Sequence, residues 1–241
     1  MQVTALPWLT ARPIGHRGYH DLNRTCWENT LSAFDAAAEK DFAIECDVHL
    51  AKDGVPVVFH DAALKRLTGR DGEVHAMTSA ELGALAVGGT QDRIPTLAEM
   101  LARVAGRVPL VIELKGIEGH DDGLVAAVAA LLRSYPGKAA IMSFDHWLVR
   151  RFAADAAGIP AGLTASGRGP ADLEAHFAML AHGISFASFN WTDMPNPFVA
   201  TLREKLGMPV ITWTVRDAAG RTATRLHADQ MTFEGFDPDA V

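Results

Sequence analysis

The chain has 241 residues, of which 49% are hydrophobic and 21% charged, and its formal net charge is −7. This composition is that of an ordinary globular protein with a sizeable core, and the length suits one α/β barrel or one to two smaller domains. The negative charge argues against nucleic acid as the main partner, but a small phosphate ligand remains compatible, because a few cations can reverse the field in one cleft.

The first residues of the chain are predicted not to be a signal peptide. Residues 1–13 lack the basic region and long apolar run of a signal peptide. No segment reaches the ~18 uninterrupted apolar residues that a membrane span needs. The two cysteines, Cys26 and Cys46, are too few for a disulfide framework. These features predict a cytoplasmic enzyme with no stable membrane insertion, and they leave its oligomeric state open.

The first predicted elements are a short strand, a helix and a longer strand. Arg12–His16 is predicted as a strand that ends at a histidine, and a helix is predicted from about Asn29 to Lys40. Phe42–Val48 is the second strand. A turn then leads to a hairpin-like strand over residues 55–59, which delivers His60 at its end.

Residues 62–95 interrupt this rhythm, because they are rich in glycine, polar and charged residues. They contain one short helix, opened by a capping-box pattern over residues 78–81. A second capping-box pattern at residues 96–99 opens a helix that runs to about Ala105. We interpret 62–95 as a small insertion on the rim of a barrel, after its second strand. The whole chain, residues 1–241, is then a single domain.

From Val108 onward, strands and helices alternate regularly. The predicted strands are Val108–Lys115, Ala139–Phe144, Gly162–Ala165, Ser185–Asn190, Val210–Val215 and Gln230–Glu234. The predicted helices between them cover residues 121–134, 146–157, 171–181, 196–206 and 217–226. Strands that alternate with helical crossovers indicate a parallel sheet. Eight core strands, counted without the 55–59 segment, predict a (β/α)8 TIM barrel.

Three acidic residues share the strand face that would point into this barrel. Side chains two apart on a strand leave on the same face, so Glu45 and Asp47 converge, and Glu113 lies at the same depth on a later strand. Buried acids are costly unless a cation or hydrogen bonds compensate them. Three carboxylates form a hard oxygen site, which predicts Mg²⁺ or Ca²⁺ as the cofactor, with Mn²⁺ as a substitute. Structural ion pairs and half-buried strands with solvated ends are the alternatives.

Two histidines fall at the same end of the predicted barrel, where the active sites of such folds lie. His16 ends the first strand and His60 follows the hairpin-like strand, so both are candidate proton-transfer groups beside the carboxylates. Lys115 lies one step nearer the barrel mouth than Glu113. His49 has the parity of the acidic pair, but it lies beyond the predicted strand and is expected in solvent.

An ordered set of short segments carries a family resemblance. The segments are His16-Arg17-Gly18, Glu28-Asn29-Thr30, Glu45-Cys46-Asp47-Val48, the run KDGVPVVFHD over 52–61, Glu113-Leu114-Lys115, Ser143-Phe144-Asp145 and Trp213-Thr214-Val215. This set, spread over nearly the whole chain, resembles the glycerophosphodiester phosphodiesterase family. The resemblance implies a TIM barrel with a small insertion after the second strand. It also implies a divalent metal held by Glu45, Asp47 and Glu113, with His16 and His60 as the acid–base pair.

The chain departs from the family pattern at three places. Trp27 stands where the family usually has a proline before Glu-Asn-Thr, and the loop from Tyr19 to Cys26 is longer than is common. Residues 232–235, Thr-Phe-Glu-Gly, differ from the more usual Thr-Asp-Xaa-Pro ending. These departures bear on substrate preference rather than on the catalytic core.

Five further residues are candidates for substrate binding, each with a structural alternative. Arg17 is interpreted as a bidentate phosphate clamp rather than a surface ion pair. Lys115 would contact the substrate phosphate or only neutralise Glu113. Asn29 would cap its helix, donate a hydrogen bond in the active site, or both. Trp213 is a candidate for the pocket wall or equally for the core, and Phe144 is a similar candidate for which the core is favoured.

The function predicted from these residues is metal-dependent hydrolysis of glycerophosphodiesters to sn-glycerol 3-phosphate and an alcohol. A small-molecule phosphodiester is then the partner, and its alcohol is left open. Lysophospholipase D-type cleavage in the same site is one alternative. A catalytically silent barrel that binds glycerophosphate is another, although all five core residues are present. The attacking group is either water or the 2-hydroxyl of the substrate, since no serine or cysteine of the matched segments stands beside a histidine.

Overall fold

The computed structural model describes residues 6–240, and residues 1–5, part of the stretch considered above for a signal peptide, lie outside it. Its strands are β1 (Ile14–Gly15), β2 (Ala43–Leu50), β3 (Pro56–Val58), β4 (Leu110–Leu114), β5 (Ala139–Ser143), β6 (Ala161–Ala165), β7 (Phe186–Asn190), β8 (Val210–Val215) and β9 (Gln230–Phe233). Strand β1 pairs in parallel with both β2 and β9, which closes the sheet. Eight parallel strands therefore form the predicted TIM barrel, and β3 pairs antiparallel with the end of β2.

Helices lie between the strands on the outside of the barrel, as predicted. They are α1 (Pro7–Ala11), α2 (Leu31–Glu39), α3 (Lys65–Thr68), α4 (Ser79–Gly83), α5 (Leu97–Val104), α6 (Leu124–Leu132), α7 (His146–Asp155), α8 (Pro170–Met179), α9 (Pro197–Ala200) and α10 (Ala218–His227). The helix predicted over 196–206 is α9 followed by a π-helical turn, Thr201–Leu206. Helices α1 and α3 were not predicted. Within residues 6–240, no helix is long and apolar enough to cross a membrane.

Capping explains where several of these helices begin. The predicted capping boxes are both confirmed, with Thr78 and Glu81 at α4 and Thr96 and Glu99 at α5. At α2 the cap is Thr30, whose side chain accepts the backbone N–H of Ala33. The neighbouring Asn29 is therefore free for another partner.

The alternation of β2 divides apolar from acidic side chains. Ile44, Cys46 and Val48 are fully buried in the main core between the strands and the outer helices. Glu45 and Asp47 point the other way, into the barrel. Below them, a second apolar cluster fills the barrel interior and is closed from beneath by α1. Its members are Leu6, Leu9, Ile14, Ala43, Val111, Ala140, Met142, Phe186 and Ile211.

The segment between β3 and α5 has its own small core. It contains α3, a 3-10 turn over Val74–Ala76, and α4. Its buried apolar side chains, among them Leu64, Leu67 and Val74, pack with Val57 and Phe59 around β3. The end of β3, which leads to His60, is therefore held between the barrel and this segment.

Candidate active site

A cavity of about 480 Å³ opens at the carboxyl ends of the barrel strands. It is lined by His16, Arg17, Glu45, Asp47, His60, Glu113, Lys115, Met142, Phe144, Ser188, Asn190, Trp191, Thr192, Trp213, Thr214, Arg216, Asp217 and Thr232. Nine of the ten residues singled out from the sequence are in this set. The tenth, Asn29, lies behind the wall, where its Nδ2 donates to Oδ2 of Asp47 at 2.9 Å.

Three carboxylates meet at the bottom of the cavity. Strands β2 and β4 pair so that Asp47 lies opposite Glu113, and Glu45 lies one inward position below Asp47. One oxygen of each carboxylate lies within 4.8 Å of the others, and all three residues are buried. Burial, together with the neighbouring carboxylates Asp47 and Glu113, raises the pKa of Glu45 well above its usual range. An oxygen-only donor set with mutual repulsion fits a hard divalent cation.

Two cationic side chains stand over this cluster. The Lys115 ammonium contacts Glu113 and lies 3.2 Å from Oδ1 of Asp47. Nε of Arg17 lies 3.3 Å from Oδ2 of Asp47, and its Nη1 donates to Oε1 of Glu28 at 2.6 Å. Although burial acts in the opposite direction, Lys115 and Arg17 lower the pKa of Asp47 well below its usual range. Arg17 is thus part of a buried network and not a surface ion pair.

The His-Arg-Gly segment makes a tight turn that explains its glycine. Arg17 and Gly18 both have positive φ, at 56° and 86°. A Cβ on Gly18 would also meet atoms of Ala33 in α2 at 2.8–2.9 Å, so only glycine fits. The turn aims the Arg17 backbone N–H at Oε2 of Glu45, 2.9 Å away, and leaves His16 at the cavity wall.

His60 is oriented by its neighbours on the end of β3. Its Nδ1 lies 2.7 Å from Oδ1 of Asp61, so the neutral ring carries the Nδ1 proton and has a free lone pair on Nε2. The prediction that His49 is solvated was wrong. Strand β2 continues to Leu50, His49 is buried, and its Nε2 lies 3.0 Å from the His60 carbonyl oxygen. The parity that His49 shares with Asp47 was the signal for its burial.

His16 has a carboxylate partner from the far end of the chain. Its Nδ1 lies 2.5 Å from Oε2 of Glu234, and Nε of Arg216 donates to Oε1 of Glu234 at 2.7 Å. Burial raises the pKa of Glu234, but the hydrogen bonds that Glu234 accepts from His16 and Arg216 outweigh this effect and hold the pKa well below its usual range. Burial lowers the pKa of His16, with partial compensation by Glu234. From the sequence, Glu234 is predicted as the end of the last strand and as part of the departure from the family ending, with no role in the site.

His20 completes this group, with Nε2 3.6 Å from Oε2 of Glu234. His16, His20 and Glu234 have donor atoms close enough to surround a metal ion. However, the backbone N–H of Leu22 donates to Nδ1 of His20 at 3.2 Å. The neutral ring then carries its hydrogen on Nε2, so this nitrogen turns an N–H and not a lone pair towards Glu234, at a distance too long for a hydrogen bond. The group is therefore the hydrogen-bonded pair of His16 and Glu234 with His20 beside it.

We predict that Glu234→Gln lowers kcat by roughly 10–10³-fold with little change in Tm, because a carboxylate that fixes the histidine tautomer is replaced by an amide. Glu234→Asp keeps the charge and should lose less than the amide variant. Steady-state kinetics of the two variants, with the exposed Glu204→Gln as control, measure the effect. Equal rates for Glu234→Gln and the wild type would show that His16 does not need this partner.

An aromatic wall stands opposite the charged groups. Phe144 and Trp213 meet edge to face, with ring centroids 5.1 Å apart, and Trp213 Nε1 donates to the Ser188 carbonyl oxygen at 3.2 Å. The core alternative is wrong for Phe144, which is 39% exposed. The Lys115 ammonium lies 5.5 Å from the Phe144 ring centroid, so this ring also faces a cation.

The cavity thus combines an acidic floor with two carboxylate-bound histidines at the carboxyl ends of a closed (β/α)8 barrel, and these groups suit a hydrolase. The model of the glycerophosphoryl diester phosphodiesterase family matches residues 16–241. The chain belongs to that family and is a phosphoric diester hydrolase. The expectation drawn from the sequence is confirmed at this level.

Individual relatives agree with the family match. YhdW of Bacillus subtilis, assigned by name to the glycerophosphodiester phosphodiesterases, is 32% identical over 231 residues, 89% of each chain. An Oleispira antarctica phosphodiesterase, solved in complex with the product sn-glycerol-3-phosphate, is 25% identical with a TM-score of 0.79, over 93% of this chain and 92% of that one. A glycerophosphodiester phosphodiesterase from Thermotoga maritima is 27% identical with a TM-score of 0.73, over 92% and 94%.

Proposed function

We propose that this chain hydrolyses glycerophosphodiesters to sn-glycerol 3-phosphate and an alcohol in a divalent-metal-dependent reaction. His16 and His60 serve as the acid–base pair, and Glu45, Asp47 and Glu113 hold Mg²⁺, Ca²⁺ or Mn²⁺. We further propose that the whole chain is one barrel domain, in which residues 62–95 are a rim insertion. The product complex of the Oleispira antarctica relative supports the substrate class.

The observation that carries this proposal is the placement of two histidines around the carboxylate cluster. Each has its Nδ1 on a carboxylate, His16 on Glu234 and His60 on Asp61. Each therefore has Nε2 available, and both side chains line the cavity. Hydrolysis of a phosphodiester needs one group that accepts the nucleophile's proton and one that donates a proton to the leaving oxygen. Two similarly held imidazoles at one cavity supply both.

Charge around the phosphate is the second requirement. When bound, the divalent cation supplies positive charge that offsets the negative charge developing on the phosphate. Arg17 and Lys115 line the same cavity and add two fixed cations, which bind and orient the phosphate oxygens. Asn29 holds Asp47 through its amide, so it orients a ligand of the cation. Phe144 and Trp213 form the apolar wall against which the carbon atoms of the substrate would pack.

Lysophospholipase D-type cleavage is the second candidate, and a single observation favours it. Phe144 is an exposed large apolar side chain on the cavity wall. The other large apolar side chains exposed within residues 6–240 are Leu22 and Leu226, and neither lines this cavity. An acyl chain would therefore have Phe144 beside Trp213 to pack on but no further exposed large apolar side chain among the described residues of the cavity, so glycerophosphodiesters with small alcohols remain the first candidates.

A substrate panel with and without chelator tests the proposal. We expect turnover of glycerophosphocholine, glycerophosphoethanolamine and related diesters, complete loss of activity after chelation, and recovery with Mg²⁺, Mn²⁺ or Ca²⁺. Lysophosphatidylcholine in the same panel should be cleaved more slowly. Full activity of exhaustively metal-free protein would reject the metal site. No turnover of any glycerophosphodiester with each of the three metals would reject the substrate class.

Glu45→Gln separates the metal site from the fold. The pKa of Glu45 is about 4.5 in the unfolded chain and well above that value in the folded protein. Between these two pKa values, folding requires Glu45 to take up a proton, so the folded state becomes less stable as the pH rises towards the folded pKa. The metal-free variant should therefore match or exceed the wild type in free energy of unfolding, more so at pH 8 than at pH 5. It should also lose most of its activity and of its metal-induced rise in Tm.

Urea unfolding in chelator at the two pH values measures this effect. Glu39→Gln, at an exposed position of α2, is the matched control and should change neither stability nor metal response. A Glu45→Gln protein that still gains the wild-type increase in Tm on adding metal would remove Glu45 from the ligand set.

A further inference from the structure

Arg66, on helix α3 of the 62–95 segment, binds two carboxylates at once. Its Nε and Nη2 donate to Oδ2 and Oδ1 of Asp61 at 2.7 and 2.9 Å. Its Nη1 and Nη2 donate to Oε2 and Oε1 of Glu28 at 2.9 and 2.8 Å. One planar guanidinium thus contacts all four oxygens of the two acids, an arrangement that the compact lysine ammonium cannot reproduce.

Each of these carboxylates holds a different residue of the cavity wall. Oδ1 of Asp61 also accepts from Nδ1 of His60 at 2.7 Å. Oε1 of Glu28 also accepts from Nη1 of Arg17 at 2.6 Å. His60 and Arg17 line the cavity, whereas Arg66 lies outside its lining. Arg66 therefore stands one residue behind both a candidate proton-transfer group and a candidate phosphate clamp.

Without Arg66, Glu28 and Asp61 would lose the positive charge that they share. Glu28 is only 4% exposed, and its remaining side-chain partners are Arg17, which Asp47 also attracts, and the neutral amide of Asn23, which donates to Oε2 at 2.5 Å. A carboxylate that loses its bidentate guanidinium is less constrained, and a displaced Asp61 would hold the Nδ1 proton of His60 less firmly. Loss of Arg66 would therefore disturb His60 and Arg17 together.

We propose that Arg66 is a positioning residue for phosphodiester hydrolysis, acting on His60 through Asp61 and on Arg17 through Glu28. This inference rests on the proposed function of the cavity. The 62–95 segment then contributes to the reaction, because it supplies the side chain that positions two residues of the cavity.

Anchoring of α3 to the barrel is the competing role for Arg66. The segment already has an apolar core of its own, which includes the buried Leu64 and Leu67 on either side of Arg66. Arg66 itself has a 43% exposed side chain. Its neighbour Lys65 makes only an exposed ion pair with Asp71 and is the matched control on the same helix.

Kinetics of Arg66→Ala, Arg66→Lys and Lys65→Ala with saturating Mg²⁺ provide the first test. We expect Arg66→Ala to lower kcat by roughly 10–10²-fold, since a misplaced catalytic group costs about that much. Arg66→Lys should recover little of the loss, and Lys65→Ala should stay within about twofold of wild type. Methylguanidinium should partly restore Arg66→Ala, whereas methylammonium should not. If Arg66→Ala does not fold, Arg66→Lys carries the test alone.

A double-mutant cycle separates positioning from anchoring. If Arg66 acts through Asp61, Arg66→Ala should cost much less kcat in an Asp61→Asn background than in wild type. Additive losses of kcat in the double mutant would overturn the proposal. So would wild-type kcat in folded Arg66→Lys together with no rescue of Arg66→Ala by methylguanidinium.

The ¹⁵N shifts of the His60 ring give a readout that does not need activity. In wild type they should show the Nδ1–H tautomer, and in Arg66→Ala a mixture. An unchanged His60 tautomer in that variant would contradict the role of Arg66. A wild-type protein that cleaves no glycerophosphodiester would reject the function instead, and the ring shifts would still test the positioning.

Discussion

His16→Ala and His60→Ala are each expected to lower kcat by roughly 10²–10⁴-fold, which corresponds to about 2.7–5.5 kcal/mol of transition-state stabilisation. The reason is that both rings line the cavity with Nδ1 fixed by a carboxylate, so each substitution removes one of the two proposed proton-transfer groups. The bell-shaped pH profile of kcat/KM should collapse to one limb in whichever variant keeps a measurable rate.

A leaving group that needs no proton distinguishes the two histidines. With a p-nitrophenyl diester of glycerol phosphate, the variant that lacks the general acid should recover most of its rate, and the variant that lacks the general base should not. His182→Ala, in the turn after α8 at the opposite end of the barrel, is the control and should keep the wild-type rate. Normal turnover by folded His16→Ala or His60→Ala would make that histidine structural only.

Removal of the substrate's 2-hydroxyl is expected to have a comparably large effect. We expect this hydroxyl to attack phosphorus and form a cyclic glycerol phosphate, which the same two histidines then hydrolyse with their roles exchanged. An attacking group tethered near phosphorus gains the entropic advantage of an intramolecular reaction over free water. A diester of propane-1,3-diol should therefore bind but turn over by at least ~10³-fold more slowly.

The hydroxyl side chains of the cavity support this route over a covalent enzyme intermediate. Those that line it are Ser188, Thr192, Thr214 and Thr232, and none forms a hydrogen bond with His16 or His60. Ser143, the serine of the matched family segments, donates to the Leu114 carbonyl oxygen at 2.7 Å. An activated nucleophile needs a base within hydrogen-bond reach, and these residues lack one.

Phosphorus NMR decides between the two attacking groups. The cyclic phosphate should accumulate when a slowed histidine variant acts on the normal substrate. A diester that lacks the terminal hydroxyl but keeps the 2-hydroxyl is the matched control and should still form the cyclic species. Rapid cleavage of the propane-1,3-diol diester, with no cyclic species from any substrate, would establish direct attack by water.

The local features of this molecule were readable from the sequence because their causes are local. Strand parity placed Glu45 and Asp47 on one face and Cys46 on the other, as the structure has them. Capping boxes marked the starts of α4 and α5. Regular alternation of strands and helices gave the barrel, and the carboxyl ends of its strands gave the location of the cavity.

The sequence-based predictions failed where the partner of a side chain is distant in sequence or where a strand is longer than predicted. His49 was expected in solvent because the predicted strand stopped at Val48, whereas β2 continues to Leu50 beside β3. The core was favoured for Phe144, but this residue follows β5 and lines the cavity. Helix boundaries differ by a few residues, which is the usual uncertainty at helix ends.

The sequence by itself determined the fold class, the acidic cluster and the two histidines of this phosphodiesterase, because periodicity and spacing along neighbouring strands carry that information. The tertiary structure decided what holds them. His16 meets Glu234 across 218 residues, since barrel closure pairs β1 with β9. Arg66 reaches Glu28 across 38 residues, because the 62–95 segment packs back on the loop before α2. Such contacts depend on how strands and loops close in space, which no local pattern encodes.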